Sequence, residues 1–135
     1  MIQERLSEIA AELNQFEDEF LKYSFLVELS AYVNPNQPDL MTKNHLHEGC
    51  QSQVWMSFQE EDGLFLMRAM SDTLIIRGVL YVIMELFNGL SVKEISENKI
   101  NFLEDCGIEQ HFSSERVAGI SSIISAIYDF CSRRT

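Results

Sequence analysis

One change of hydrophobic period constrains this chain more than any other feature. Ser52, Val54, Met56 and Phe58 alternate with Gln53, Trp55, Ser57 and Gln59, the period of two that marks a half-buried strand. Asp62-Gly63 follows as a hairpin-turn pair, with Glu60 and Glu61 expected to lengthen the loop. Leu64 to Met70 then returns as a second strand, and Lys43 to His47 reads as a short third one. An isolated hairpin is marginally stable in water, so such a sheet must lean on helices.

The rest of the chain has helical spacing. Ile2, Leu6, Ile9 and Leu13 share one face, and Phe16, Phe20, Tyr23, Val27 and Ala31 form a second stripe. Both stripes are expected to face the core. Asn34-Pro35-Asn36-Gln37-Pro38 ends the second helix and holds both prolines of the chain. Ser71 or Asp72 is a candidate cap for an apolar helix reaching about Phe87. Ser91 with Glu94 gives the S-x-x-E pattern of a capping box. Cys106-Gly107 reads as a helix end. Ser113 or Ser114 opens a last helix with the stripe Val117, Ile120, Ile124, Ile127 and Cys131, and Arg133 and Arg134 stand at its cationic end. The expected class is α+β: a small antiparallel sheet of two to three strands against about five to six helices.

Length and charge narrow the functions. The 135 residues fit one domain, 1–135, large enough to bury its own core. With 10 Lys+Arg against 21 Asp+Glu the formal charge is −11, which disfavours nucleic acid and anionic membranes and favours a partner with a basic patch. The longest apolar run, Leu74 to Phe87, is interrupted by Arg77, Gly78 and Glu85, and a bilayer span needs about 20 apolar residues. The N-terminal MIQERLSEIAAEL lacks the basic segment and continuous apolar run of a secretory signal. A cytoplasmic location is expected.

Three cysteines, Cys50, Cys106 and Cys131, include no CxxC pair. An odd count without that spacing argues against a disulfide framework or a zinc knuckle. Cys131 lies on an isoleucine stripe and reads as a small core residue. Cys106 stands at a helix end, where it could be partly exposed, but Glu104 and Asp105 beside it oppose a thiolate. Cys50 follows Gly49 between the proline-bearing loop and the first strand, a place where a thiol can reach another protein.

The string Gly49-Cys50-Gln51-Ser52-Gln53-Val54-Trp55 resembles the signature of the SufE family. Tyr23 and Glu28-Leu29 are similar to the family's second helix. Ser71-Asp72 followed by Gly78 is similar to its S-D-x-x-(I/V)-(I/V)-x-G segment, and Arg116 with Gly119 to the S-R-x-x-G region of its last helix. The resemblance runs from about residue 4 to 131. It implies an α+β fold related to the iron–sulfur scaffold fold. It also implies that Cys50 accepts persulfide sulfur from a PLP-dependent cysteine desulfurase, stimulates that enzyme and relays sulfur toward an iron–sulfur scaffold. No cofactor of its own is implied, since the PLP belongs to the partner. Gly49, Gln51, Ser52 and Trp55 would then support the reactive loop. One departure stands out: the family usually has Asn five residues before the cysteine and an aliphatic residue three before it, where this chain has His45 and His47.

The chemistry itself needs one accessible thiolate on a mobile segment, attacking the outer sulfur of a persulfide. Glu48 beside Cys50 would raise the thiol pKa. Candidate compensators are the backbone N–H groups of the Gly49–Ser52 turn, His47, and Arg116 if it folds nearby. Val54, Trp55 and Met56 are candidates for an apolar wall that keeps Cys50 partly buried. Two other readings compete. His45, His47 and Cys50 form H-x-H-x-x-C, three possible metal ligands, with Glu48, Cys106 or His111 as a fourth. A cysteine hydrolase would pair Cys50 or Cys106 with His111. Whether the chain is a monomer or a homodimer stays open at this level.

Overall fold

A two-residue turn organises the sheet. In the computed structural model, which describes residues 1–135, Asp62 has φ 53° and Gly63 φ 79°. Two consecutive residues in the left-handed region match the right-handed twist of flanking strands. β1 (Val54–Glu61) and β2 (Leu64–Ser71) therefore pair antiparallel from Glu61↔Leu64 to Val54↔Ser71. Glu60 and Glu61 are strand residues, not loop, so the turn is tighter than expected. The sheet has two strands. Lys43–His45 forms a single 3-10 turn instead of a third strand, and Leu46 contributes one isolated bridge to Trp55.

Six α-helices complete the α+β fold: α1 (Ile2–Asn14), α2 (Glu19–Leu29), α3 (Leu74–Phe87), α4 (Val92–Glu97), α5 (Phe102–Asp105) and α6 (Ser114–Ser132). The apolar α3 lies at the centre, with nine buried residues, and none of the helices is long and apolar enough to cross a membrane. Thr73, not Ser71 or Asp72, is its N-cap residue. Ser91 caps α4 by accepting from the Glu94 N–H at 3.0 Å, but the reciprocal half of the box is missing. The Glu94 carboxylate accepts instead from the Ile2 N–H at 2.7 Å.

The α1 stripe faces inward as expected, with Ile2, Leu6 and Leu13 buried. The second stripe does so only in part, through Val27 and a half-buried Phe16. Phe20 is 72% and Tyr23 39% exposed, whereas Leu26 and Lys22 are buried. Lys22 points at the C-terminal end of α5. Its Nζ donates to Cys106 O at 3.2 Å and to Asn14 Oδ1 at 3.1 Å, supplying the orphan carbonyl that a helix end leaves. Burial holds the Lys22 pKa below its usual value.

One core cluster of 27 buried residues joins all six helices and both strands, α5 entering it through Phe102 alone. A smaller one, Val33, Leu40 and Met70, sits under the proline-bearing loop with Trp55 against it. Gly78 decides how closely α3 meets α2. A Cβ there would collide with the backbone carbonyl of Leu26, so only glycine permits this crossing.

Candidate functional site

Cys50 occupies a short loop held at both ends. On one side His47 N donates to Val54 O at 2.7 Å. On the other, Ser71 Oγ donates to Gln53 O at 2.8 Å, and Gln53 N donates to Asp72 Oδ1 at 3.1 Å. Thr73 Oγ1 adds a bond to Ser52 Oγ at 2.8 Å. The Ser71-Asp72 segment thus clamps the strand end that follows the cysteine. Gly49, at the loop's tip, has φ +114°, a conformation that side chains resist.

The loop rests on α6. Cys50 Sγ donates to Gly119 O at 3.3 Å. A Cβ on Gly119 would lie 3.2 Å from that sulfur, and a Cβ on Gly49 would lie 3.1 Å from Ser122 Oγ. Two glycines therefore set the loop-to-helix spacing. Beside the sulfur is a small cavity of about 80 Å³, walled by Ile76, Ile120 and Ile123 and edged by Ser52, Glu115 and Arg116. The apolar wall comes from α3 and α6. Trp55 is turned away, packed into the smaller cluster with Met70, so it supports the hairpin and not the thiol's surroundings.

Cys50 is half-buried, and that burial pushes its thiol pKa up, with the Ser122 hydroxyl acting the other way. Glu48 is exposed and is no cause of the rise. Ser122 is the neighbour of the Cys50 loop that sequence reasoning missed. It lies 75 positions from His47, whose Nε2 sits 2.8 Å from its hydroxyl. Arg116 is brought to the cavity, half-exposed and with no ion-pair partner within 4.0 Å. Ser113 caps α6 by accepting from the Arg116 backbone N–H at 3.2 Å.

The other two thiols are sealed. Cys106 and Cys131 have 0% exposure, and burial pushes their pKa values to about 12 and about 11. Cys106 is not the partly exposed helix-end residue that its position suggested. His111 is held by Glu19, 3.0 Å from its Nδ1, and is not oriented by either thiol. The H-x-H-x-x-C set does not converge: His45 bonds Thr42 at 3.2 Å while His47 bonds Ser122 on α6, and no three His, Cys, Asp or Glu groups gather at a common point. That arrangement corrects both the metal-ligand and the hydrolase readings.

Comparison with known proteins fits this geometry. The family model SufE, described as an Fe-S metabolism associated domain, matches residues 7–131. An uncharacterised SufE-like protein of Rhizobium meliloti is 30% identical over 121 residues, covering 85% of this chain and 84% of that protein. The solution structure of a hypothetical protein from Thermus thermophilus superposes with a TM-score of 0.75 at 19% identity, over 96% of this chain and 94% of the other, and so shares the fold. With the Gly49–Trp55 signature on the loop that faces α6, the chain belongs to the SufE family of iron–sulfur metabolism.

Proposed function

We propose that this protein accepts persulfide sulfur on Cys50 from a PLP-dependent cysteine desulfurase, stimulates that enzyme, and passes the sulfur to an iron–sulfur scaffold protein in the cytoplasm. One observation carries the reading: Cys50 is the one cysteine of three that is not sealed in the core. In the step itself, Cys50 gives up its proton to solvent and the thiolate attacks the outer sulfur of the donor's persulfide. The donor's S–S bond breaks as the new S–S bond forms on Cys50, and the donor leaves as a thiolate. No net oxidation occurs, so the acceptor needs no cofactor.

The apolar wall of Ile76, Ile120 and Ile123 suits a persulfide that must not leak to passing thiols. The cavity beside the sulfur, about 80 Å³, exceeds the roughly 10–15 Å³ that one water needs by the same measure and leaves room for an added sulfur atom. Mixing the protein with a cognate desulfurase and cysteine should add sulfur mass to Cys50. Cys50→Ser should lose the mass gain and the stimulation, whereas Cys106→Ala and Cys131→Ala keep both. Peptide mass spectra that placed the sulfur on Cys106 would overturn the assignment.

A further inference from the structure

We propose that His47 and Ser122 form a positioning pair for the Cys50 thiolate: Ser122 turns its hydroxyl from the Gly119 carbonyl to the sulfur when Cys50 ionises, and His47 holds Ser122 in place for that turn. The inference rests on Cys50 being the reactive thiol. Three contacts carry it. Ser122 Oγ donates to Gly119 O at 2.7 Å, Cys50 Sγ donates to the same oxygen at 3.3 Å, and His47 Nε2 is 2.8 Å from Ser122 Oγ.

A hydroxyl has one proton. With that proton on Gly119 O, the short contact to His47 requires an N–H on Nε2. His47 therefore carries a proton on Nε2, and its burial favours the neutral ring, which leaves Nδ1 bare. Gly119 O is thus the resting acceptor for two side chains at once.

Ionisation changes the balance. When the Cys50 proton leaves to water, a negative sulfur faces a carbonyl oxygen, which repels it. Rotation of the Ser122 hydrogen about its Cβ–Oγ bond replaces that repulsion with a charge-assisted hydrogen bond. The sulfur and Ser122 Oγ both lie within 3.3 Å of Gly119 O, so a small swing of the repelled thiolate about the Cys50 Cα–Cβ bond brings it to the turned hydroxyl. Gly119 O lies inside α6 and keeps its bond from the Ile123 N–H. The His47 N–H to Ser122 Oγ persists and polarises the hydroxyl.

Other charges near the sulfur do not duplicate this. Glu115 and Arg116 edge the cavity from α6 with opposite signs, α3 presents only Ile76, and Glu48 on the loop itself is exposed. Arg116 shares the cavity with Cys50 but makes no hydrogen bond to the sulfur. His47 stands where the family usually has an aliphatic side chain, so the pair would be a feature of this chain and not of the family at large.

The test is the pH dependence of Cys50 alkylation by iodoacetamide in the full chain, which separates the midpoint (thiol ionisation) from the high-pH plateau (access). Ser122→Ala should raise the midpoint by about one pH unit, the scale of one hydrogen bond to a charged group, while the plateau holds. His47→Leu should raise it less, and His47→Gln, which keeps an N–H donor, should restore it. The imidazole nitrogen shifts of wild-type His47 should report a proton on Nε2. Unmoved midpoints in Ser122→Ala and His47→Leu, a change confined to the plateau, or an Nδ1 proton in the imidazole spectrum would each overturn the pair. No desulfurase enters this assay. Shifted midpoints in a protein that gains no sulfur would therefore sink the transfer reading and leave the pair standing.

Discussion

Gly119 lies directly under Cys50, close enough that a Cβ on the glycine would meet Sγ at 3.2 Å and the Cys50 Cα at 3.6 Å. The helix and the loop touch through an absence of side chain. Gly119→Ala should push the loop outward by a few tenths of an ångström. Alanine also suits a helix interior better than glycine by about 0.5–1 kcal/mol, which offsets the strain. The expected outcome is a nearly unchanged melting temperature with several-fold faster alkylation of Cys50. Unchanged alkylation would show that the loop does not depend on this contact.

Gly78 has no such latitude, because a Cβ there meets backbone and not a movable loop. Gly78→Ala should force α2 and α3 apart across the fully buried Leu26. The expected loss is about 3 kcal/mol, the upper range for overpacking, read from the midpoint of a urea titration. A loss under about 1 kcal/mol would mean that the two helices separate easily.

The sealed thiols, with the buried Tyr128 phenol, cost the fold stability at alkaline pH. Their folded pKa values are about 12 for Cys106 and about 11 for Cys131, against 9.0 in the free side chain. Between those limits the folded state binds more protons than the unfolded one. Stability is therefore full below about pH 9 and falls as pH rises, by up to about 1.4 kcal/mol per pH unit for each thiol. Lys22 works in the opposite sense, since its folded pKa is lowered from 10.5 and the unfolded chain binds the extra proton. Denaturation midpoints at a series of pH values should show a shallower decline in Cys131→Ala and a steeper one in Lys22→Met.

Arg116 offers a charge at the mouth of the Cys50 cavity with no carboxylate paired to it. On a chain of net charge −11, an isolated cation orients a partner's carboxylate. Arg116→Ala should weaken desulfurase binding by about fivefold, the worth of an exposed ion pair near 1 kcal/mol, and flatten its salt dependence. The Cys50 alkylation midpoint should stay where it was. A raised midpoint with intact affinity would instead make Arg116 the thiolate's partner.

Much of this fold could be read from residue order, because the hairpin and most helix ends are local. The alternation from Val54 to Phe58 and the Asp62-Gly63 pair specify β1, β2 and their turn without help from the rest of the chain. The Ser113 cap of α6 and Gly107 after α5 follow the same local rules. The second helix misled for a physical reason. Aromatic spacing suggested that Phe20 and Tyr23 were core, whereas Lys22 takes the inward place because it reaches the carbonyl end of α5. No pattern within α2 reveals a partner 84 residues away. Lys43–His47 failed as a strand for want of a continuous ladder, with Leu46↔Trp55 as its single bridge. At the candidate site, the place of Cys50 on a loop outside the sealed core was legible from Gly49 and the strand start after it. Ser122 was not, since a serine on a helix is ordinary until tertiary packing sets it against His47. Its one sequence signal is the spacing from Gly119 to Ser122, three residues apart and so on one helix face.

The tight turn at Asp62-Gly63 makes the hairpin a ruler. Its register runs unbroken for eight pairs from Glu61↔Leu64 to Val54↔Ser71, roughly 24 Å at about 3.4 Å per residue. At the far end of that ruler, Ser71 and Asp72 grip Gln53 and so fix where the Cys50 loop begins. Insertions therefore have unequal effects along one hairpin. A residue added at the turn, where a side chain on Gly63 would meet nothing within 4 Å, disturbs the Val92 N–H bond to Gly63 O at 3.0 Å but leaves the sulfur where it is. A residue added between Gln53 and Phe58 turns every following side chain to the opposite face, and the thiol loses its place on α6 although no residue near it has changed.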